Sequence, residues 1–375
     1  MTKSQLSQMT KKGLVGTPGF AAQKAANKVT LRKCVVRKVL HVLIEAYKEK
    51  RGRFKEIHHT THGPQHVHVP GVRISVKGFQ EKLFESVHLQ KKKRNAPRVN
   101  IGSLKHQQYL YLVTPTDHMQ DSAALYSNHV RLYADHPWIY SEKVLGLTKE
   151  KLALIFREYK IGLPNENARF WIGNAQTLFV DFAGDPVELF KACGSTVDGV
   201  QKWRKAYEKK HGRNPLLGFE KKITSLYLLY LAEFGVLPFP EDAFAVDVHV
   251  IFQLYQAEAF VLHERTNSAT LAEVLREIIC EICIEDNLDK IMLANAIWLN
   301  GSFGCNGCSK NAAAPIQCPL WNMCTGRYAT DNYHHNGTLD PSDPLFPKGG
   351  QWPKYGVPQI TRRRPEVKGL SLIHI

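Results

Sequence analysis

The sequence lacks any long apolar run. Its most apolar stretch, 223–239, is interrupted by Glu233, Gly235 and Pro238 and is too short to cross a bilayer. Residues 1–29 are polar and basic, without an apolar segment, so we expect neither a secretory leader nor a membrane anchor. There is no internal repeat, and beyond residue 107 there is no convincing series of strand patterns.

Cysteine is scarce, with eight residues in a chain of 375. Such a composition is not typical of a small secreted disulfide scaffold. Four of the cysteines, Cys34, Cys193, Cys280 and Cys283, are scattered, and the other four are clustered near the C-terminus. Because thiolate ligands must stay reduced, we expect an intracellular location, in the cytoplasm or nucleoid, or in the nucleus of a eukaryote.

Acidic residues are outnumbered. Asp and Glu total 34 against 50 Lys and Arg, which gives a formal net charge of +16. A charge of this size favours a polyanionic partner such as nucleic acid. A basic tail on a neutral protein is the alternative, but basic residues recur along the whole length.

Helical periodicity predicts a mainly α fold. One helix is expected at 30–50, capped by Thr30, and others are expected at 107–113, 121–134, 149–160, 166–181, 186–192, 197–210, 219–235, 248–262, 270–284 and 287–301. The predicted organisation is a disordered basic arm (1–29), an N-terminal helix with a His-rich and basic insertion (30–106), a helical domain (107–250), helices with a cysteine loop (251–330) and a basic irregular tail (331–375).

The insertion has weak β character. Five histidines lie close together at 58–68, followed by a strand-like segment at 72–76 and the cation run 91–94. The histidines lack the spacing of a metal site, so a loop and hairpin is favoured over a ligand set. The cation run fits a solvated loop as well as it fits a phosphate contact.

The clustered cysteines, Cys305, Cys308, Cys318 and Cys324, stand as Cys-x2-Cys-x9-Cys-x5-Cys. Four thiolates this close in sequence can occupy the corners of a tetrahedral metal centre. A zinc ribbon usually pairs two Cys-x2-Cys motifs, and the wider second pair here favours an iron–sulfur cluster, with zinc as the alternative.

Two further segments suggest a site. The sequence Leu-Leu-Gly-Phe-Glu-Lys-Lys at 216–222 lies between two predicted helices, so it predicts a tight glycine turn whose following helix offers unpaired N–H groups to a phosphate. Asp247 lies at the head of another helix, where it is either an N-cap or a carboxylate facing a reacting sugar. Taken alone, the glycine turn fits an ordinary packing unit equally well.

The order of turn, Val246-Asp247-Val248-His249 and cysteine loop resembles the helix-hairpin-helix (HhH-GPD) DNA glycosylases that carry a [4Fe-4S] cluster, the superfamily of endonuclease III. The resemblance covers about residues 107–325. It implies a two-lobed helical fold and a monomer that binds double-stranded DNA. The resemblance implies that Asp247 is the catalytic carboxylate and Lys222 the Schiff-base lysine. If the alignment with the family motif were shifted by one residue, Lys221 would take the role of Lys222.

The same resemblance implies that Gly218, Phe219 and Lys221 hold the DNA backbone. Lys310 and Arg327 would meet the backbone from a loop stiffened by the cluster. Three features differ from the family pattern: Glu220 replaces the second glycine of the hairpin, extra residues stand at 238–242, and the first three cysteines are spaced differently.

The predicted function is therefore a DNA N-glycosylase that removes a damaged or mismatched base. Lyase activity at the resulting abasic site depends on the lysine assignment. A non-catalytic DNA-binding protein of the same fold and a zinc-stabilised nucleic-acid-binding protein are the alternatives.

Overall fold

Amphipathic helices form most of the molecule, as the periodicity predicted. The computed structural model describes residues 29–51, 54, 99–117, 122–262, 268–301 and 318–324. Within these ranges the helices are α1 (Lys33–Lys48), α2 (Leu104–Val113), α3 (Ser122–Asp135), α4 (Lys149–Glu158), α5 (Pro164–Gln176), α6 (Pro186–Ala192), α7 (Val197–His211), α8 (Lys221–Glu233), α9 (Val248–Gln256), α10 (Ser268–Glu285) and α11 (Lys290–Leu299). The mainly α class is thus confirmed for the part of the chain that is described.

A two-stranded antiparallel sheet joins the start of the described chain to the segment that follows α9. Strand β1 (Val29–Leu31) pairs with β2 (Phe260–Leu262), with Val29 opposite Leu262. The predicted helix 248–262 is therefore wrong in its last turn, because helix α9 ends at Gln256 and the chain then turns into β2. Thr30 is likewise not a helix cap, since it lies in β1 and α1 begins after Arg32. Val29, assigned to the basic arm, is also part of β1.

Helix α1 packs its apolar face against the core and pairs its charges with α10. The buried positions of this face include Val36, Val39 and Leu40. Lys33 Nζ lies 2.6 Å from a carboxylate oxygen of Glu281, and other ion pairs follow along the helix. Because exposed ion pairs are each worth only about 0–1 kcal/mol, the apolar face supplies most of the attachment.

An aromatic cluster fills the centre of the helical region. Trp171 is fully buried and donates a hydrogen bond from Nε1 to Ile139 O at 3.1 Å. His129 stacks on this indole with ring centroids 5.3 Å apart, and burial lowers the pKa of His129 to about 3. The imidazole is therefore neutral at physiological pH, and Tyr140 and Thr116 share its two ring nitrogens.

Helix α5 ends earlier than predicted, because the chain continues after Gln176 as a wider, π-helical turn. It begins at Pro164 and ends at Gln176, and the residues that follow, Thr177–Asp181, form a π-helical turn. Such turns insert one extra residue into the helical hydrogen-bond ladder and are common near functional sites. No helix of the described residues is long and apolar enough to cross a membrane.

Several predictions concern segments outside the described residues. These segments are the basic arm up to residue 28, the insertion with its histidines and cation run, and the C-terminal tail.

Candidate functional site

The connection between α7 and α8 is longer than the tight turn that the sequence predicted. Nine residues, Gly212–Glu220, separate His211 from Lys221. Gly212 ends α7 in the left-handed conformation, and Gly218 has a second positive φ of 79°. The helices lie side by side, because Gln201 and Arg204 on α7 donate hydrogen bonds to Phe219 O at 2.9 and 3.2 Å.

The turn around Gly218 is held from three sides. Asn174, fully buried on α5, accepts from the backbone N–H of Leu217 at 2.8 Å and donates to Leu217 O at 2.9 Å. A β-carbon at position 218 would lie 2.9 Å from the ring of Phe170 and 3.0 Å from Pro115. Glycine is therefore required here both by the backbone angle and by the space.

The start of α8 offers backbone donors that no side chain caps. Glu220 is the N-cap residue, but its carboxylate turns away and forms a two-point ion pair with Arg204 at 2.8 and 3.1 Å. The N–H groups of Lys221 and Lys222 have no hydrogen-bond partner in the described ranges. Uncapped N–H groups carry partial positive charge and attract anions.

The two adjacent lysines have different surroundings. Lys221 Nζ lies 2.9 Å from Glu273 and 3.3 Å from Asp198, so two carboxylates hold it. Lys222 is partly exposed and forms no ion pair with any residue that the structure describes. Of the two, Lys222 therefore has the amine that is not engaged by carboxylates.

The residues that lengthen the segment before Asp247 are anchored in the core. The Asp242 carboxylate accepts from the N–H groups of Val197 and Asp198 at 3.1 and 2.9 Å, which caps α7. Arg276, 6 % exposed in its side chain, donates to Asp242 O and pairs with Glu273. This junction brings the start of α8 and the segment that leads to Asp247 into one part of the molecule.

A half-buried amine holds the same segment two residues earlier, at Pro240. Lys290 donates from Nζ to Pro240 O and lies 5.1 Å from the centre of the Phe239 ring. Burial lowers the pKa of Lys290. The extra residues at 238–242 are therefore a fixed part of the fold, attached to α7, α10 and α11.

Asp247 is the N-cap of α9. Its Oδ1 accepts from the N–H groups of His249 at 2.9 Å and Val250 at 3.0 Å. The residue is partly exposed, and Oδ2 has no hydrogen-bond partner among the described residues. Asp247 follows Asp242 by five residues, which span at most about 18 Å of chain. The carboxylate thus caps the helix with one oxygen and leaves the other available.

Two of the four clustered cysteines lie near α9 and the residue that follows α11. Cys318 is buried, with Sγ 3.9 Å from Asn300 Oδ1, and Cys324 Sγ lies 4.0 Å from Gln256 Oε1. The N–H of Cys324 donates to Leu320 O at 2.8 Å, so the connecting segment folds into tight turns. The other two predicted ligands, Cys305 and Cys308, and the predicted DNA contacts Lys310 and Arg327 lie outside the described residues.

A buried amide pair joins this cysteine segment to α9, and sequence reasoning missed it. Gln253 donates from Nε2 to Ile297 O at 2.7 Å and to His249 O at 3.0 Å, and its Oε1 accepts from Asn300 at 2.8 Å. Gln253 and Asn300 are both almost fully buried. The sequence pattern that could have indicated this pair is a polar amide in or next to an apolar helical segment, at Gln253 and at Asn300.

The donor set fits a thiolate-binding centre as far as it is described. Sulfur ligands suit an iron–sulfur cluster or zinc. Burial raises the pKa of Cys193 and Cys283 to about 12 and that of Cys280 to about 11, so these three are thiols at neutral pH. Within the described ranges no group of three or more His, Cys, Asp or Glu side chains could hold a metal ion.

Leu163 is a second feature that the sequence analysis passed over. It is the N-cap residue of α5, has a positive φ of 45° and leaves 43 % of its surface exposed. A large apolar residue in this conformation stores about 1–3 kcal/mol of strain, which is typical of functional positions. Phe170, seven residues along the same helical face, contacts the Gly218 turn. The signal was the Gly-Leu-Pro sequence at 162–164.

Comparison with known proteins assigns no family to the chain, since no family model matches it and no curated protein matches it.

The capping geometry of Asp247 predicts a difference between two substitutions. Asp247→Ala removes both hydrogen bonds to the first turn of α9 and should lower the free energy of unfolding by about 1 kcal/mol. Asp247→Asn keeps an acceptor oxygen and should stay within about 0.5 kcal/mol of the parent protein. Urea unfolding at neutral pH measures both values, and equal losses in the two variants would contradict the cap.

Proposed function

We propose that the protein is a DNA glycosylase, an enzyme that hydrolyses the bond between a damaged or mismatched base and its sugar. The observation that carries this proposal is that, among the described residues, Oδ2 of Asp247 has no hydrogen-bond partner and Lys222, at the start of α8, has no ion pair. A glycosylase needs these two kinds of group, an anion beside a developing cation and a donor surface for the DNA backbone.

Duplex binding would begin at the start of α8. The N–H groups of Lys221 and Lys222 and the free ammonium of Lys222 can hold one phosphate without reading sequence. Glu220 does not oppose this, because Arg204 compensates its charge through the two-point ion pair. The difference from the family pattern at this position therefore leaves the turn without an unpaired negative charge.

A base must leave the duplex before its glycosidic bond can be reached, at a cost of a few kcal/mol. Leu163 is an exposed apolar side chain at a rigid position, on the helix whose Phe170 contacts the Gly218 turn. Apolar side chains inserted between base steps stabilise unstacked DNA in many complexes. We assign Leu163 the role of filling the space that the everted nucleotide leaves.

In the chemical step, the bond between C1′ and the base breaks and the base takes the electron pair. The sugar becomes cationic, and the Asp247 carboxylate would stabilise it through Oδ2 and orient the attacking water. A nucleophilic Lys222 amine would instead form a bond to C1′ and lose a proton. The C1′–O4′ bond would then break, with its electron pair and a proton going to O4′, which leaves a protonated imine. Loss of a proton from C2′ would then permit β-elimination of the 3′ phosphate. Base release depends on Asp247, and strand cleavage depends on Lys222.

The four clustered cysteines would hold a [4Fe-4S] cluster, which when bound supplies a rigid support for the loop. The residues that such a loop would present to the backbone are Lys310 and Arg327. The buried Gln253–Asn300 pair fastens the cysteine segment to the helix that Asp247 caps, so the two parts of the site share one support. The proposed active species is a monomer.

A non-catalytic DNA-binding protein of the same fold is the second candidate. The observation that favours it is that Asp247 already has a structural function as the N-cap of α9. The longer connection before α8 is a second departure from a tight hairpin. This candidate predicts salt-sensitive DNA binding without release of any base.

Base release from a panel of defined lesion duplexes tests the glycosylase proposal. The parent protein should release at least one base, and Asp247→Asn should lower the rate by about 100-fold or more because the stabilising charge is lost. Asp247→Asn should still bind the duplex and keep its stability. Absence of release from every duplex, with binding intact, would favour the non-catalytic candidate.

Borohydride trapping distinguishes the two lysines. Lys222→Gln should abolish the covalent protein–DNA adduct, because its amine is the one not held by carboxylates. The matched variant Lys221→Gln should retain the adduct, since Lys221 is paired with Asp198 and Glu273. Trapping lost in Lys221→Gln but kept in Lys222→Gln would reverse the assignment.

Elemental analysis tests the cluster against its zinc alternative. Protein purified without oxygen should be brown and contain iron and acid-labile sulfide, and Cys318→Ser should lose both. The control is Cys34→Ser, an exposed cysteine outside the cluster, which should keep them. Colourless protein with stoichiometric zinc would support the zinc-stabilised alternative.

A further inference from the structure

One face of α7 carries exposed lysines that form no ion pair with the part of the chain that the structure describes. Lys202, Lys205 and Lys209, together called the α7 lysine face, follow the spacing i, i+3 and i+7, which places them in one row. None of them forms an ion pair with a described residue. By contrast, Arg204 on the same helix pairs with Glu220, and Lys221 pairs with Asp198 and Glu273.

Folding stability does not account for this row. Like charges three or four residues apart destabilise a helix by about 0.2–0.5 kcal/mol per pair. The helix dipole favours cations only in the last turn, which explains Lys209 and Lys210 but not Lys202 and Lys205 in the preceding turns. A bound anion would remove the repulsion along the whole row.

The neighbouring side of α7 is rigid. Trp203, Tyr207 and His211 form a row of rings whose successive centroids lie 5.1 and 4.2 Å apart. Tyr207 donates to Asp181 at 2.7 Å, and Arg213 stacks on its ring and bonds the same carboxylate. These contacts fix the helix against the π-helical turn after α5, so the lysine face presents a fixed array of charges.

The α7 lysine face lies beside the proposed DNA site. Gln201 and Arg204 bond the Gly218 turn, and Asp198 pairs with Lys221, so the N-terminal half of α7 adjoins the start of α8. Lys202 to Lys209 spans about 10 Å along the helix. Three ammonium groups spread over this length can each neutralise one backbone phosphate, so the row can contact up to about three phosphates.

We infer that the α7 lysine face is a second contact for duplex DNA, which tracks about three backbone phosphates beyond the nucleotide at the active site. This inference rests on the proposed DNA partner but not on base release. A membrane surface fits less well, because Val197 and Val200 of α7 are buried, and Trp203 and Tyr207 are only partly exposed and pack in the ring row. The helix therefore has no broad exposed apolar face for lipid.

The test measures the affinity for undamaged duplex as a function of salt. Replacing Lys202, Lys205 and Lys209 together by Gln should reduce the steepness of log K against log salt by about 2.7. Raising the salt from 50 to 200 mM should therefore weaken binding of this variant about 40-fold less than it weakens binding of the parent protein. Replacing the same three residues by Arg should retain the slope of the parent protein.

The matched control replaces Lys38, Lys143 and Lys151 by Gln, three exposed lysines elsewhere that also lack ion pairs with described residues. It should leave the slope unchanged. Equal slopes in the two Gln triples would overturn the inference, while failure of the parent protein to bind duplex would instead overturn the proposed function. Vesicles of anionic lipid should not displace the duplex, and displacement that requires the α7 lysine face would indicate a membrane partner instead.

Discussion

The guanidinium of Arg276 is the buried charge on which the arrangement of the candidate site depends. It joins Glu273 on its own helix to the backbone of Asp242 and lies 3.8 Å from Asp198. A buried cation is tolerated only when its partners are complete, and loss of one partner typically costs about 3–5 kcal/mol. The positions of α7, α8 and the segment before Asp247 are therefore mutually dependent, and substitutions among these residues will not have additive effects.

This junction gives two neighbouring helix N-termini different properties. The start of α7 already holds an anion, because the Asp242 carboxylate accepts from its first N–H groups. Among the described residues no carboxylate accepts from the start of α8, since Glu220 is directed toward Arg204. Under the proposed function, a DNA phosphate would therefore find donors at one of these two helix starts rather than at both. The extra residues at 238–242 supply Asp242 and so contribute to this selectivity.

Local patterns predicted most of the helices because an apolar stripe and a capping residue lie within one segment. The buried face of α1 and the position of Asp247 at the head of α9 are examples. The misassigned elements depend on distant residues. Strand β2 exists because it pairs with β1, more than two hundred residues earlier, and no periodicity within 257–262 contains that information.

The same limit applies to the site. The sequence placed Lys221 and Lys222 side by side but could not tell them apart, because the carboxylates that engage Lys221 come from α7 and α10. The compensation of Glu220 by Arg204 and the buried Gln253–Asn300 pair also join residues that are far apart in the chain. The candidate side chains could be identified from the sequence. Which of them pair with one another could be seen only in the folded structure.

The two glycines of the connection before α8 differ in how well substitution is tolerated at their positions. Gly212 has a positive φ but open space around it, so asparagine, which tolerates this conformation, can replace it at modest cost. Gly218 has a positive φ and also lies close to Phe170 and Pro115, so the β-carbon of any other residue would push the turn away from these two side chains. Saturation mutagenesis of the nine positions would therefore recover diversity at the first glycine and a single residue at the second.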